Sequence, residues 1–179
     1  AGDATVVQAL GARDGFRVDV VPPVVGPDGR PVSSTSIRRA IAGGDLDRAA
    51  GGLGRPYSIS GVVIEGERRG RQLGFRTINL SMPPARKLLP PDGVYAARVC
   101  TPEGAFGGML NLGARPTFDD PRRTLEAHLF GVRAELYGRR VRVDLIRRLR
   151  ETRKFESAAA LVAQMRHDEA AARAALEGY

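Results

Sequence analysis

From residue 58 onward the chain is a succession of short stretches rich in apolar residues, each ended by proline or glycine, and this punctuation restricts it to short antiparallel strands. The stretches are 58–64, 76–80, 93–100, 105–112, 124–129 and 139–149, and the turns are Pro90-Pro91-Asp92-Gly93, Thr101-Pro102-Glu103-Gly104, Pro121 and Tyr137-Gly138. Six such segments with tight connections predict an antiparallel barrel. A helix is expected after them over 157–176, capped by Ser157, with Leu161, Val162, Met165, Ala172 and Leu176 on one face. Glu169 and Arg173 form an i,i+4 pair on it.

The first 57 residues read differently, as a partial α/β segment. Residues 4–10 look like a helix end stopped by Gly11, and Phe16, Val18 and Val20 alternate as a short strand ending at Pro22-Pro23. A turn follows at Gly26-Pro27-Asp28-Gly29. Ser33-Ser34-Thr35 offers caps to a helix over 36–42, and Asp45 to another that runs through Ala50 and closes at Gly51-Gly52. Hydroxyls at a helix N-terminus, with Arg38 nearby, also suit a phosphate.

The chemistry concentrates in residues 61–80, GVVIEGERRGRQLGFRTINL. Gly66, Gly70 and Gly74 let backbone turn tightly around a ligand, and Arg68, Arg69 and Arg71 add charge for phosphate oxygens. Alternation then sends Thr77 and Asn79 to one face and Ile78 and Leu80 to the other. A hydroxyl and an amide oxygen beside a phosphate loop suit Mg²⁺ held largely by nucleotide phosphates and water. The loop is neither a Walker A loop nor a dinucleotide fingerprint. In the stretch 124–129, Thr124, Glu126 and His128 share a face opposite Leu125, Ala127 and Leu129. Glu126 is a candidate general base for a hydroxyl that attacks a phosphoryl group, and His128 is expected to make a structural hydrogen bond.

Composition narrows the classes. One cysteine, Cys100, excludes an internal disulfide and a cysteine-rich zinc site, and His128 and His167 are the only histidines. No apolar run reaches membrane-spanning length and no basic-then-apolar leader appears, so neither a membrane partner nor export is expected and the cytoplasm is the default. The net charge of +8 is carried mostly by arginine spread along the chain. Aromatic residues at 6% and the lack of tryptophan supply a base-stacking surface poorly, so no nucleic-acid partner is expected.

The string Gly61, Val63, Gly66, Arg69, Gly70, Leu73, Gly74, Phe75, Thr77, Asn79 resembles the nucleotide loop of the riboflavin kinase family, G-x-V-x-x-G-x-x-R-G-x-x-L-G-F-P-T-A-N. Arg76 stands where that family has proline, and Ile78 where it usually has alanine. Glu126 and His128 fit the family's E-x-H-L, and Asp92-Gly93-Val94-Tyr95 its D-G-V-Y. Asn111-Leu112-Gly113 with Arg115-Pro116-Thr117-Phe118 fits N-x-G-x-R-P-T-F, Leu136-Tyr137-Gly138 fits L-Y-G, and Leu149-Arg150 with Phe155 fits the approach to the last helix. The likeness spans residues 58–176 in order.

The resemblance implies a split, Greek-key type, six-stranded antiparallel barrel with a C-terminal helix over 58–179. It also implies transfer of the γ-phosphoryl of ATP to the 5′-hydroxyl of riboflavin, giving FMN and ADP. Glu126 would be the catalytic base, Gly66, Arg69, Gly70, Arg71 and Gly74 would hold the nucleotide, and Thr77 and Asn79 the Mg²⁺. Phe75, Asn111, Arg115 and Thr117 are weaker candidates for contact with the flavin. Residues 32–38, VSSTSIR, resemble a signature late in the adenylyltransferase domain of bacterial bifunctional FAD synthetases. Residues 1–57 are thus expected to be the tail of such a domain plus a linker, without its early histidine motif and unable to adenylylate FMN alone. A flavin-binding module without catalysis and a basic nucleic-acid-binding barrel are the two rival readings.

Overall fold

The computed structural model describes residues 3–26, 29–66, 74–75, 77–115, 120–132 and 135–179, with the backbone alone for 115 and 120–122. The chain divides into two compact units, Ala1–Val32 and Ser33–Tyr179.

In the first unit, helix α1 (Ala4–Asp14) starts at Asp3, whose side chain accepts a hydrogen bond from Thr5 N at 3.2 Å, and ends at Gly15 in the left-handed region. Its end lies beyond the expected stop: Gly11 is inside the helix and buried, because the returning chain crosses there. A Cβ at position 11 would lie 2.6 Å from the Phe16 carbonyl oxygen and 2.7 Å from Val18 Cγ2. The strand expected at Phe16, Val18 and Val20 does not form a ladder; the segment has no regular secondary structure and no partner strand among the described residues. A lone bridge joins Val25 to Pro31.

The second unit opens with α2 (Ser34–Gly43), capped by Ser33, whose hydroxyl accepts from Ser36 N at 3.1 Å while the Ser36 hydroxyl accepts from Ser33 N. Of the hydroxyls proposed as a phosphate site, that of Ser33 is therefore engaged in capping. Helix α3 (Leu46–Leu53) starts at Asp45 as expected but continues through Gly51-Gly52 to a left-handed Gly54. Ala40, Ile41 and Ala49 form a small core against Ile37, Tyr57 and Leu88.

Six strands follow: β1 (Tyr57–Ile64), β2 (Thr77–Leu80), β3 (Gly93–Thr101), β4 (Gly104–Arg115), β5 (Asp120–Leu129) and β6 (Arg140–Arg150). All pairings are antiparallel and the order β1-β2-β5-β4-β3-β6 closes on itself through β1 and β6. The barrel and its strand count match the sequence reading, with β4 and β5 longer than expected because their hairpin continues the ladder to Arg115 opposite Asp120. Alternation fills the interior with Ile59, Val63, Leu80, Val99, Leu110, Leu112, Leu125, Val143 and Leu145, all at most 3% exposed. Tyr95 is buried among them; its hydroxyl donates to the Pro91 carbonyl, and burial pushes its pKa up.

Helix α4 (Ala158–Leu176) begins at Ser157, whose hydroxyl accepts from Ala160 N at 3.1 Å. It covers part of the outer barrel face, where Ala172 and Ala175 pack with Phe75, Val94, Ala96 and Met109. Asp168, 3% exposed, points to the barrel side and receives Arg150 of β6 at 2.7–3.0 Å through Nε and a terminal nitrogen. Gln164 Nε2 donates to the same carboxylate at 2.7 Å. Removing one partner of such a pair strands the other charge. Asp168→Ala should therefore lower unfolding stability by about 3–5 kcal/mol, read by urea denaturation; a loss below about 1 kcal/mol would show that apolar contacts alone hold α4.

Candidate active site

The central strand of the site is β5, paired with β2 on one side and β4 on the other. Its inward residues Leu125, Ala127 and Leu129 are buried in the barrel, which commits Thr124, Glu126 and His128 to the outer face. The register sets Asn79 of β2 and Asn111 of β4 directly opposite Glu126 on its two sides. Directly opposed residues in antiparallel strands share a face at about 4.5–5.5 Å. Asn79, Glu126 and Asn111 therefore form one polar row across three strands. The next row is Thr77, His128 and Met109.

Thr77 joins the two rows: its hydroxyl donates to Glu126 Oε1 at 2.6 Å. A hydroxyl that gives its proton to a carboxylate still has lone pairs to offer a cation. The donors Thr77 Oγ1, Asn79 Oδ1 and the Glu126 carboxylate are hard oxygens that suit Mg²⁺ completed by phosphate and water. Among the described residues no group of three or more His, Cys, Asp or Glu side chains could hold a metal by itself.

Two loop glycines serve the site in different ways. A Cβ on Gly66 would lie 1.9 Å from Asn79 Nδ2, 2.5 Å from its Cγ and 3.1 Å from its Oδ1, so the Asn79 amide occupies the space left by the missing Gly66 side chain. Gly74, just before β2, has φ +83° and no neighbour around its missing Cβ; there the backbone conformation, not space, selects glycine.

Phe75 is 6% exposed, in the apolar cluster beneath α4, with its ring edge-on to His128 at 5.2 Å. His128 meets Phe130 in the same manner at 5.7 Å, and its Nε2 lies 4.0 Å from Glu169 Oε2 of α4. At the far end of β5, Arg123 pairs with Asp92 Oδ1 at 2.6 Å and donates to the Pro90 carbonyl at 3.2 Å. Beside it the Thr124 hydroxyl donates to the Gly113 carbonyl at 3.2 Å. The sequence reading did not single out Arg123; its partner lies 31 residues away and no local pattern marks it.

The structure therefore brings together Glu126, Thr77, Asn79, Asn111 and Gly66, with Gly74 and Phe75 leading into β2. Arg69, Gly70, Arg71, Arg76 and Thr117 lie outside the described residues, and Arg115 is described in its backbone alone, paired with Asp120.

Gly66→Ala should push the Asn79 amide from its seat and destabilise by about 1–3 kcal/mol through overpacking, read by urea denaturation. An unchanged midpoint would mean that this contact yields without cost.

A model of the riboflavin kinase family (Flavokinase) matches residues 53–176. The bifunctional riboflavin kinase/FMN adenylyltransferase of Pseudomonas fluorescens is 40% identical over 174 residues, 97% of this chain and 55% of that protein. The protein of that description from Escherichia coli K12 is 38% identical over 96% of this chain and 54% of its own length. Among solved structures, one from Streptococcus pneumoniae described as a macrolide-efflux protein aligns with TM-score 0.81 and 35% identity, over 93% of this chain and 54% of its own. The chain spans about half the length of the curated relatives it matches.

Proposed function

The chain belongs to the riboflavin kinase family, and on that premise we propose that it transfers the γ-phosphoryl group of ATP to the ribityl 5′-hydroxyl of riboflavin, giving FMN and ADP. The observation that carries this reading is the outer-face row Asn79–Glu126–Asn111 with the Thr77 hydroxyl 2.6 Å from Glu126. It unites a proton acceptor with oxygen donors for a metal–nucleotide complex.

Glu126 accepts the proton of the 5′-hydroxyl as that oxygen bonds to the γ-phosphorus and the bond to the β-phosphate oxygen breaks. The Thr77 hydrogen bond holds the carboxylate in place for this. Thr77 and Asn79 would hold Mg²⁺, whose charge offsets the negative charge gathering on the phosphoryl oxygens. The nucleotide is assigned to the β2 side of Glu126, with Gly66, Arg69, Gly70, Arg71 and Gly74, which lie between β1 and β2 in the sequence, as its partners. Riboflavin would approach from the β4 side, near Asn111 and the Arg115 and Thr117 loop, with Phe75 shaping the floor beneath. Positioning and electrostatics do most of the work in such a transfer, and no covalent enzyme intermediate is required.

Residues 1–57 are proposed to belong to the adenylyltransferase part and linker of a bifunctional arrangement, with 58–179 as the kinase domain. Neither histidine of the chain lies in that first segment, so these residues alone would not convert FMN to FAD. Among the described residues no helix is long and apolar enough to cross a membrane. We assign the reaction to the cytoplasm, with the flavins and adenine nucleotides as the partners.

The test is incubation with riboflavin, ATP and Mg²⁺ followed by separation of the flavins. FMN should form without FAD, and Glu126→Gln should lower kcat by roughly 10²–10⁴-fold while ATP still binds. Absence of FMN with the wild-type chain, whatever the divalent ion or flavin redox state, would overturn the reading. Near-normal turnover by the variant would remove Glu126 from its role.

A further inference from the structure

The pairing of β2 differs along its length. Among the described residues β2 pairs with β1 only at Leu80 and Asn79, so Thr77 and Ile78 have β5 as their strand partner. The residue of β5 opposite Thr77 is His128. Its ring stands edge-on to Phe75, two residues before Thr77, at 5.2 Å and 71°, and edge-on to Phe130 at 5.7 Å and 64°. Phe75 in turn belongs to one apolar cluster with Met109, Ala96 and the α4 residue Ala172.

Helix α4 closes the arrangement from outside. Glu169 Oε1 is held by Arg173 at 2.7 Å, and the Arg173 guanidinium lies 4.2 Å above the Phe130 ring. Glu169 Oε2 lies 4.0 Å from His128 Nε2, and the His128 ring makes T-shaped contacts with both Phe75 and Phe130. An aromatic ladder thus runs from α4 through Phe130 and His128 to Phe75 and the first residue of β2.

We propose that His128 is a positioning residue whose ring, by supporting Phe75, fixes the start of β2 and with it the Thr77 hydroxyl against Glu126. The functional half of this inference rests on the kinase reading above. Each edge-to-face contact shifts an opening equilibrium by roughly two- to tenfold, and displacement of reacting groups by about 1 Å can cost up to about 10²-fold in rate.

The experiment compares His128→Ala, which removes the ring, with His128→Phe, which keeps ring contacts and removes the nitrogens, both in the full chain. Amide hydrogen exchange is measured along β2, and ATP is titrated calorimetrically with and without Mg²⁺. For His128→Ala the β2 amides should exchange roughly tenfold faster with β1 and β6 unchanged. The affinity gained from Mg²⁺ should shrink, metal-free ATP binding should persist, and kcat should fall roughly 10–100-fold at unchanged riboflavin KM. His128→Phe should restore all of these. If the alanine variant does not fold, Phe75→Leu should give the same β2 exchange and the same loss of the Mg²⁺ gain, with riboflavin KM left out of that comparison because Phe75 shapes the proposed flavin floor.

Wild-type exchange in β2 would overturn the proposal, as would faster exchange spread evenly over the barrel. Faster β2 exchange with an intact Mg²⁺ gain would also overturn it, because the ring would then serve the fold alone. A phenylalanine variant as impaired as the alanine one would assign the effect to the imidazole nitrogens instead. If the wild-type chain makes no FMN, the exchange comparison still decides whether His128 holds β2, and the failure belongs to the kinase reading.

Discussion

The structure depends on how β5 is seated. It is bonded on both edges, to β2 and to β4, and its inward face is filled by Leu125, Ala127 and Leu129, which belong to the main core. A slip of one residue in either ladder would turn Glu126 into that apolar interior and expose the leucines, an outcome opposed by both desolvation of the carboxylate and loss of burial. The same packing that closes the barrel therefore fixes which side chains reach the outer face. Asn79, Glu126 and Asn111 stand in line because three strands agree on one register.

The outer face of the barrel carries two surfaces of different character. Beneath α4 it is apolar, with Val94, Ala96, Met109 and Phe75 covered by the helix; beyond the helix edge it becomes the polar row of the site. The pair of partly buried Arg150 with buried Asp168 ties the helix to β6, and Gln164 satisfies a further carboxylate lone pair. Such a pair is costly to desolvate and specifies geometry more than it adds stability. Here it fixes which part of the outer face is covered, and so where the open polar surface begins.

Much of this was legible in the sequence because it rests on local signals. Turn residues and apolar alternation marked six strands, and period-two alternation put Thr77, Asn79 and Glu126 on outward positions. Other features depend on residues far apart in the chain. Gly11 reads as a helix stop, yet its real constraint is the crossing of Phe16 and Val18. Phe16, Val18 and Val20 have the pattern of a strand but no partner strand among the described residues, and pattern alone cannot supply one. Asn111 fell within a motif, but its position opposite Glu126 follows from the β4–β5 register. The Arg123–Asp92 pair and the aromatic surroundings of His128 have no local signature at all.

The central claim is that phosphoryl transfer takes place at the Asn79–Glu126–Asn111 row. A crystal structure with riboflavin, Mg²⁺ and a non-hydrolysable ATP analogue tests it most directly. The account predicts the riboflavin 5′-hydroxyl within about 2.6–3.2 Å of a Glu126 carboxylate oxygen. It also predicts the metal between the nucleotide phosphates and the Thr77 and Asn79 oxygens, with the γ-phosphorus in line. A nucleotide bound away from the β1–β2 loop, or a flavin hydroxyl out of reach of Glu126 with both ligands in place, would contradict it.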